Sequence, residues 1–95
     1  MMQQISLGQS DYLSSFGEYF FTLDGGGACT IDENNGEGAT STEINRELFS
    51  GGQIITPETG WDMCIESGSG GYLIKATDGE SQLTLDQNGT WGEAF

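Results

Sequence analysis

Short alternating runs, each ended by a glycine-bearing turn, constrain this chain more than any other feature. Residues 61–66 place Trp61, Met63 and Ile65 on one side and Asp62, Cys64 and Glu66 on the other. Residues 82–86 repeat the pattern with Leu83 and Leu85 inward. Period-two alternation is the signature of a half-buried strand, because successive side chains point to opposite faces of a sheet. Between these runs, residues 72–77 read as a further strand. Glycines 68, 70 and 71, Asp78 with Gly79, and Asn88 with Gly89 supply the turns. A last strand is expected over 90–95.

The first half carries similar but weaker signals. The aromatic run at 17–23 reads as a strand, residues 24–27 as a turn and 28–32 as the return strand, with Asn35 and Gly36 in another turn. The segment Asp24-Gly25 … Thr30-Ile31-Asp32-x-Asn34 echoes Asp78-Gly79 … Thr84-Leu85-Asp86-x-Asn88. Two hairpins sharing one turn chemistry account for the echo, and so does a duplicated hairpin. A short strand is expected over 53–56, stopped by Pro57 and Gly60. Residues 37–50 read either as a loop or as a short helix capped by Thr42, with Ile44, Leu48 and Phe49 on its apolar face and Gly51 and Gly52 as its stop. Residues 1–16 read as a polar arm holding a first strand or a turn of helix. The expected fold is therefore mostly β, a small antiparallel sandwich or barrel-like sheet built from hairpins, with at most one short helix near 42–50.

A chain of 95 residues makes one domain, spanning 1–95, with much of its surface exposed. Sixteen glycines add to the entropy lost on ordering it. Aromatic side chains bury large areas and suit so short a chain. The core is expected from Tyr12, Phe16, Tyr19, Phe20, Phe21, Phe49, Trp61, Tyr72, Trp91 and Phe95, together with the Ile and Leu residues of the runs. Help from oligomerisation or from docking on a larger assembly is expected.

Charge narrows the partners. Fifteen Asp and Glu face only Arg46 and Lys75, giving a net charge of −13. Nucleic acid and anionic membranes are disfavoured as direct partners. A basic protein partner, cations or a purely solubilising coat remain. No stretch approaches the length of a membrane-spanning helix. The first ten residues lack the basic and apolar regions of a secretory signal, so synthesis and folding in a host cytoplasm are expected. Cys29 and Cys64 are then thiols by default, able to form one disulfide in oxidising surroundings.

The residues that carry common chemistries are missing or misplaced. Without histidine the Ser-His and Cys-His pairs cannot form, and with no C-x-x-C there is no zinc signature. The stretch from Asp32 to Glu43 approaches an EF-hand loop. Its glycine falls at the fifth loop position instead of the sixth, and its eighth position is Ala39. The glycine stretches lack the Lys-Ser/Thr of a phosphate loop. No catalytic residue, metal or cofactor is expected.

The function expected is that of a non-enzymatic structural or interaction protein docking on a larger assembly, such as a virus-encoded capsid decoration protein or other virion component. It would meet a capsid or tail protein, or act as a homo-oligomer. The alternative is an acidic nucleic-acid mimic inhibiting a basic nucleic-acid-binding enzyme, as an anti-CRISPR does. Carboxylates two residues apart on a strand face are roughly 6–7 Å apart, the order of successive phosphates. A calcium-dependent adhesion module is the third reading. The candidate partner-binding residues are the ladder Asp62, Glu66, Asp78 and Glu80, all expected at the surface, and the tail aromatics Trp91 and Phe95.

Overall fold

The hairpin runs of the second half form one antiparallel meander. In the computed structural model, which describes residues 2–22, 29, 31, 38–50, 52, 55, 58, 60–68 and 71–93, the strands are β1 (Asp62–Gly68), β2 (Gly71–Thr77), β3 (Gln82–Asp86) and β4 (Trp91–Gly92). Their order in the sheet is their order in the chain. The expected turns set the register. Gly68 pairs with Gly71 and Thr77 with Gln82. Gly79 and Gly89 adopt φ of 95° and 80°, a region that a side chain disfavours. Asp78 and Asp86 each turn a carboxylate oxygen back onto the amides of the turn that follows.

Two helices precede the sheet. Helix α1 (Met2–Phe16) occupies the stretch expected as an arm, and it is not free. Met2, Ile5 and Gln9 are buried at helical spacing, and Tyr12 packs beside the core. Gly17, at φ 79°, returns its amide to the carbonyl of Leu13. The glycine that reads as a strand boundary is thus the αL residue closing a helix. Helix α2 (Ala39–Phe49) decides between the loop and the helix left open for this region, with Ile44 fully buried and Leu48 and Phe49 against the core. Its cap is Gly38 rather than Thr42, which sits one turn inside and donates its amide to the Gly38 carbonyl. The helices meet closely at Gly8, where a Cβ would lie 3.1 Å from the Phe49 ring.

The fold is mixed but rich in sheet, so the mostly β expectation holds in part: a four-stranded antiparallel sheet stands with two helices of 15 and 11 residues. The described residues show a single sheet with helices, neither a second sheet nor a closed barrel.

Residues 17–22 are not a strand, despite their aromatic composition. Gln9, inside α1, donates its side-chain amide to the Phe20 carbonyl (2.7 Å) and accepts the Phe20 amide (2.8 Å). Thr22 meets β1 at Ile65, exchanging hydrogen bonds with both of its backbone groups. Ile55 is held likewise by Asn45 of α2, at 2.8 and 3.0 Å. Side chains therefore do here what a neighbouring strand would do. The expected turn at 24–27, most of the expected return strand at 28–32, most of the expected strand at 53–56, and Phe95 lie outside the described residues.

Candidate partner-binding surface

One row of side chains crosses the sheet on its inner face: Ile65, Ile74, Leu85 and Trp91, paired across β1 to β4. Directly opposed residues share a face. Burial falls off along the row. Ile65, Ile74 and Leu85 are buried, whereas Trp91 is 49% exposed. The next row is Met63, Ala76 and Leu83, and Leu83 lines one cleft with Glu93, the residue after β4. The core face thus runs out of cover at its β4 edge.

Three shallow clefts meet at that edge. The first, about 310 Å³, is walled by Met2, Trp61, Met63, Leu83 and Trp91 and is almost wholly apolar. Trp91 also walls the second, about 390 Å³, with Leu7, Tyr72, Leu85 and Gln87 among its lining. Leu7 is 69% exposed there, on the outer side of α1. Leu83 is shared with the third, about 420 Å³, which Glu80 and Glu93 line with Thr77, Ser81 and Gln82. Gly92 keeps this edge narrow, because a Cβ on it would stand 2.4 Å from the Thr84 hydroxyl oxygen. Without a side chain at 92, β4 lies against β3 and carries Trp91 and Glu93 on either side.

The expected acidic ladder is not assembled. Asp62 has no exposure at all and is not a surface carboxylate. Its Oδ1 accepts the Gly38 amide (2.8 Å) and the Ser41 hydroxyl (2.5 Å), at the N-terminal end of α2. The Ser41 oxygen in turn accepts the Met63 amide (3.0 Å). The carboxylate satisfies donors that the helix leaves open and meets the positive end of its dipole. The alternation in 61–66 could not show this, since it assumes water on one face, and residues 62–65 are all buried.

Glu66 also departs from expectation. It is half-buried and pairs with Lys75 at 2.5 Å, while accepting the Cys29 amide (3.1 Å). Lys75 donates to the Cys29 carbonyl (3.2 Å). Cys29 itself is joined to Cys64 by a disulfide, in place of the two thiols expected of a cytoplasmic chain. Disulfide and ion pair together fasten one residue of the preceding chain to the sheet's other face.

Asp78 and Glu80 do stand near the surface, at the β2–β3 turn. Hydrogen bonds from the Ser81 amide, and then from the Glu80 amide, hold the Asp78 carboxyl below its ordinary value of 3.8. Its charge is engaged in shaping the turn, which leaves Glu80 as the outward group. Of the six candidates, Glu80 and Trp91 belong to the surface described here, Asp78 supports it, Asp62 and Glu66 are internal, and Phe95 lies outside the described residues. Sequence reasoning missed Leu7, Trp61, Leu83 and Glu93 as surface walls. Glu93 could have been found from the Asn88–Gly89 turn, which folds the residues after it back along β3.

The chain matches no family model, no curated protein and no solved structure. Among the described residues no group of three or more acidic or cysteine side chains is placed to hold a metal, and no helix is long and apolar enough to cross a membrane.

Proposed function

We propose that this chain is a non-enzymatic interaction module that docks on a larger protein assembly through the face around Trp91. The observation that carries the reading is the inner row of the sheet, which leaves the core and ends on a half-exposed indole between two clefts. Exposed large aromatics walled by apolar side chains are the usual anchors of protein interfaces. No histidine is present to activate a nucleophile. The buried disulfide suits a chain that works in oxidising surroundings. An accessory component of a virus particle is the assembly we favour, on small size and acidity, which is analogy to a class. A nucleic-acid mimic would need an exposed carboxylate ladder, and Asp62 and Glu66 are withdrawn from the one expected.

The test compares two surface variants. Immobilised wild-type chain, Trp91→Ala and Glu47→Gln are exposed to material from the source organism or its virus, and retained proteins are identified by mass spectrometry. A defined protein kept by wild type and by Glu47→Gln, but lost with Trp91→Ala, supports the reading. Glu47 is the comparison because it lies on α2, paired with the exposed Arg46. Equal retention by all three, with the fold of each verified by circular dichroism, would remove this face as the docking surface.

A further inference from the structure

The Trp91 face carries information about its occupant, and the inference rests on reading that face as a docking surface. We propose that the occupant is a basic segment of a partner protein, in which an arginine adjoins a bulky apolar side chain. The apolar group fills the cleft of Met2, Trp61, Met63, Leu83 and Trp91, and the guanidinium enters the neighbouring cleft that Glu80 and Glu93 line.

Charge complementarity is the first argument. Arg46 and Lys75 are the only basic side chains of the sequence. One is committed to Glu47 and the other to Glu66. Glu80 and Glu93 are therefore left to be neutralised from outside. The second argument is continuity: Leu83 walls both clefts, so an apolar side chain and a cation carried by neighbouring residues of one peptide can reach both. The third is preorganisation. The Asp78 carboxylate fixes the Glu80 and Ser81 amides, so the turn that carries Glu80 is already shaped before binding. Arginine suits the place better than lysine, because its flat cation forks to carboxylates. A second copy of this chain is a poor occupant, since it brings its own charge of −13 to the same edge.

The probe is the peptide acetyl-Gly-Leu-Arg-Gly-amide, titrated into the full-length ¹⁵N-labelled chain. The two tryptophans give two indole N–H signals, both at the apolar cleft. Saturable shifts of both indole signals and of the Glu80 and Glu93 amides are expected. Glu80→Gln and Glu93→Gln should each weaken binding roughly two- to fivefold at low salt. A peptide with citrulline in place of arginine should bind more weakly by a similar factor and be indifferent to both variants, as expected of a coupled pair. Equal binding of the citrulline peptide, or shifts confined to other residues, would overturn the basic occupant. The docking face itself would stand or fall separately, with retention by Trp91→Ala. Indole shifts that grow with protein concentration alone would make a second copy the occupant. Binding that emerges only in Phe95→Ala would make it the chain's own tail. Either result overturns the proposal.

Discussion

The strands β1 to β4 satisfy their backbone by pairing with one another, whereas the described non-helical residues before them lean on single side chains. In the sheet, every turn is short and every partner is a sequence neighbour of the previous one. Before it, Gln9 holds both backbone groups of Phe20, Asn45 holds those of Ile55, and Thr22 docks on Ile65. Asp62 anchors the start of α2. The two regions reach the same end, polar groups paired away from water, by means that respond differently to substitution. A ladder spreads its hydrogen bonds over many residues, so no single side chain is decisive. A clamp concentrates two or three on one side chain, and losing it strands buried donors and acceptors together.

Asp62 gives the largest expected break in this comparison. Asp62→Ala leaves the Gly38 amide and the Ser41 hydroxyl without their acceptor in a fully buried place. Each orphaned group costs roughly 1–3 kcal/mol, so a loss of about 3–4 kcal/mol is expected from urea unfolding followed by circular dichroism. Asp62→Asn keeps an acceptor oxygen at the same position and should lose about half as much. A loss below about 1 kcal/mol in the alanine variant would show that α2 does not depend on this carboxylate.

The same contrast explains what could be read from the sequence. Alternation at 61–66 and 82–86, and the glycine turns at 79 and 89, specify three strands and their register, because hairpin pairing is a local matter. The helical face of Ile44, Leu48 and Phe49 is local too, and α2 is where it was expected. What could not be read is what covers a face. Asp62 looks exposed by period, yet the N-terminal end of α2 closes over it, and Cys29 is bonded to Cys64 two residues further along the same face. The run 17–22 has strand composition, but its partner is a glutamine on α1, a pairing that no short window contains. Trp91 was legible as a candidate, because it ends the last hairpin. Its neighbours Leu7 and Trp61 come from elements far apart in sequence, so the clefts around it were not.

Gln9 offers an intermediate effect and sharpens the comparison. Gln9→Leu keeps side-chain bulk within the buried face of α1 while removing both bonds to Phe20. The Phe20 amide and carbonyl are then left to a poorly solvated site, and about 2 kcal/mol of stability should be lost. Hydrogen exchange should report where the loss falls. The Phe20 amide should exchange markedly faster, while amides of the β1–β2 ladder, such as Ile65 and Ile74, should keep their protection relative to global stability. Uniform loss of protection across both regions would mean that clamp and ladder open as one unit, and the distinction drawn between them would fail.

The smallest effect belongs to Asp78, at the junction of β2 and β3, where the ladder region borrows a clamp of its own. The carboxylate accepts the Ser81 amide at 2.7 Å and the Glu80 amide at 2.9 Å, and these two bonds lower its affinity for a proton. A carboxyl whose folded value lies below its unfolded one stabilises the fold when ionised in both states. That contribution is complete above the ordinary carboxyl range. It begins to disappear as pH falls to about 4, the unfolded aspartate value, and is gone once pH has passed below the lowered folded value. Asp78→Asn retains an acceptor oxygen but cannot carry the charge. Wild type should therefore be slightly more stable than Asp78→Asn at pH 6, and the difference should vanish toward pH 2. Subtracting one urea-midpoint curve from the other is essential, because the chain carries fourteen other acidic side chains whose contributions are common to both proteins. The turn is fully exposed to solvent screening, so the difference should also shrink in high salt. A difference that stays constant from pH 6 to pH 2 would mean that the charge contributes nothing, and that the turn is held by the glycine at 79 and the geometry of the oxygen alone.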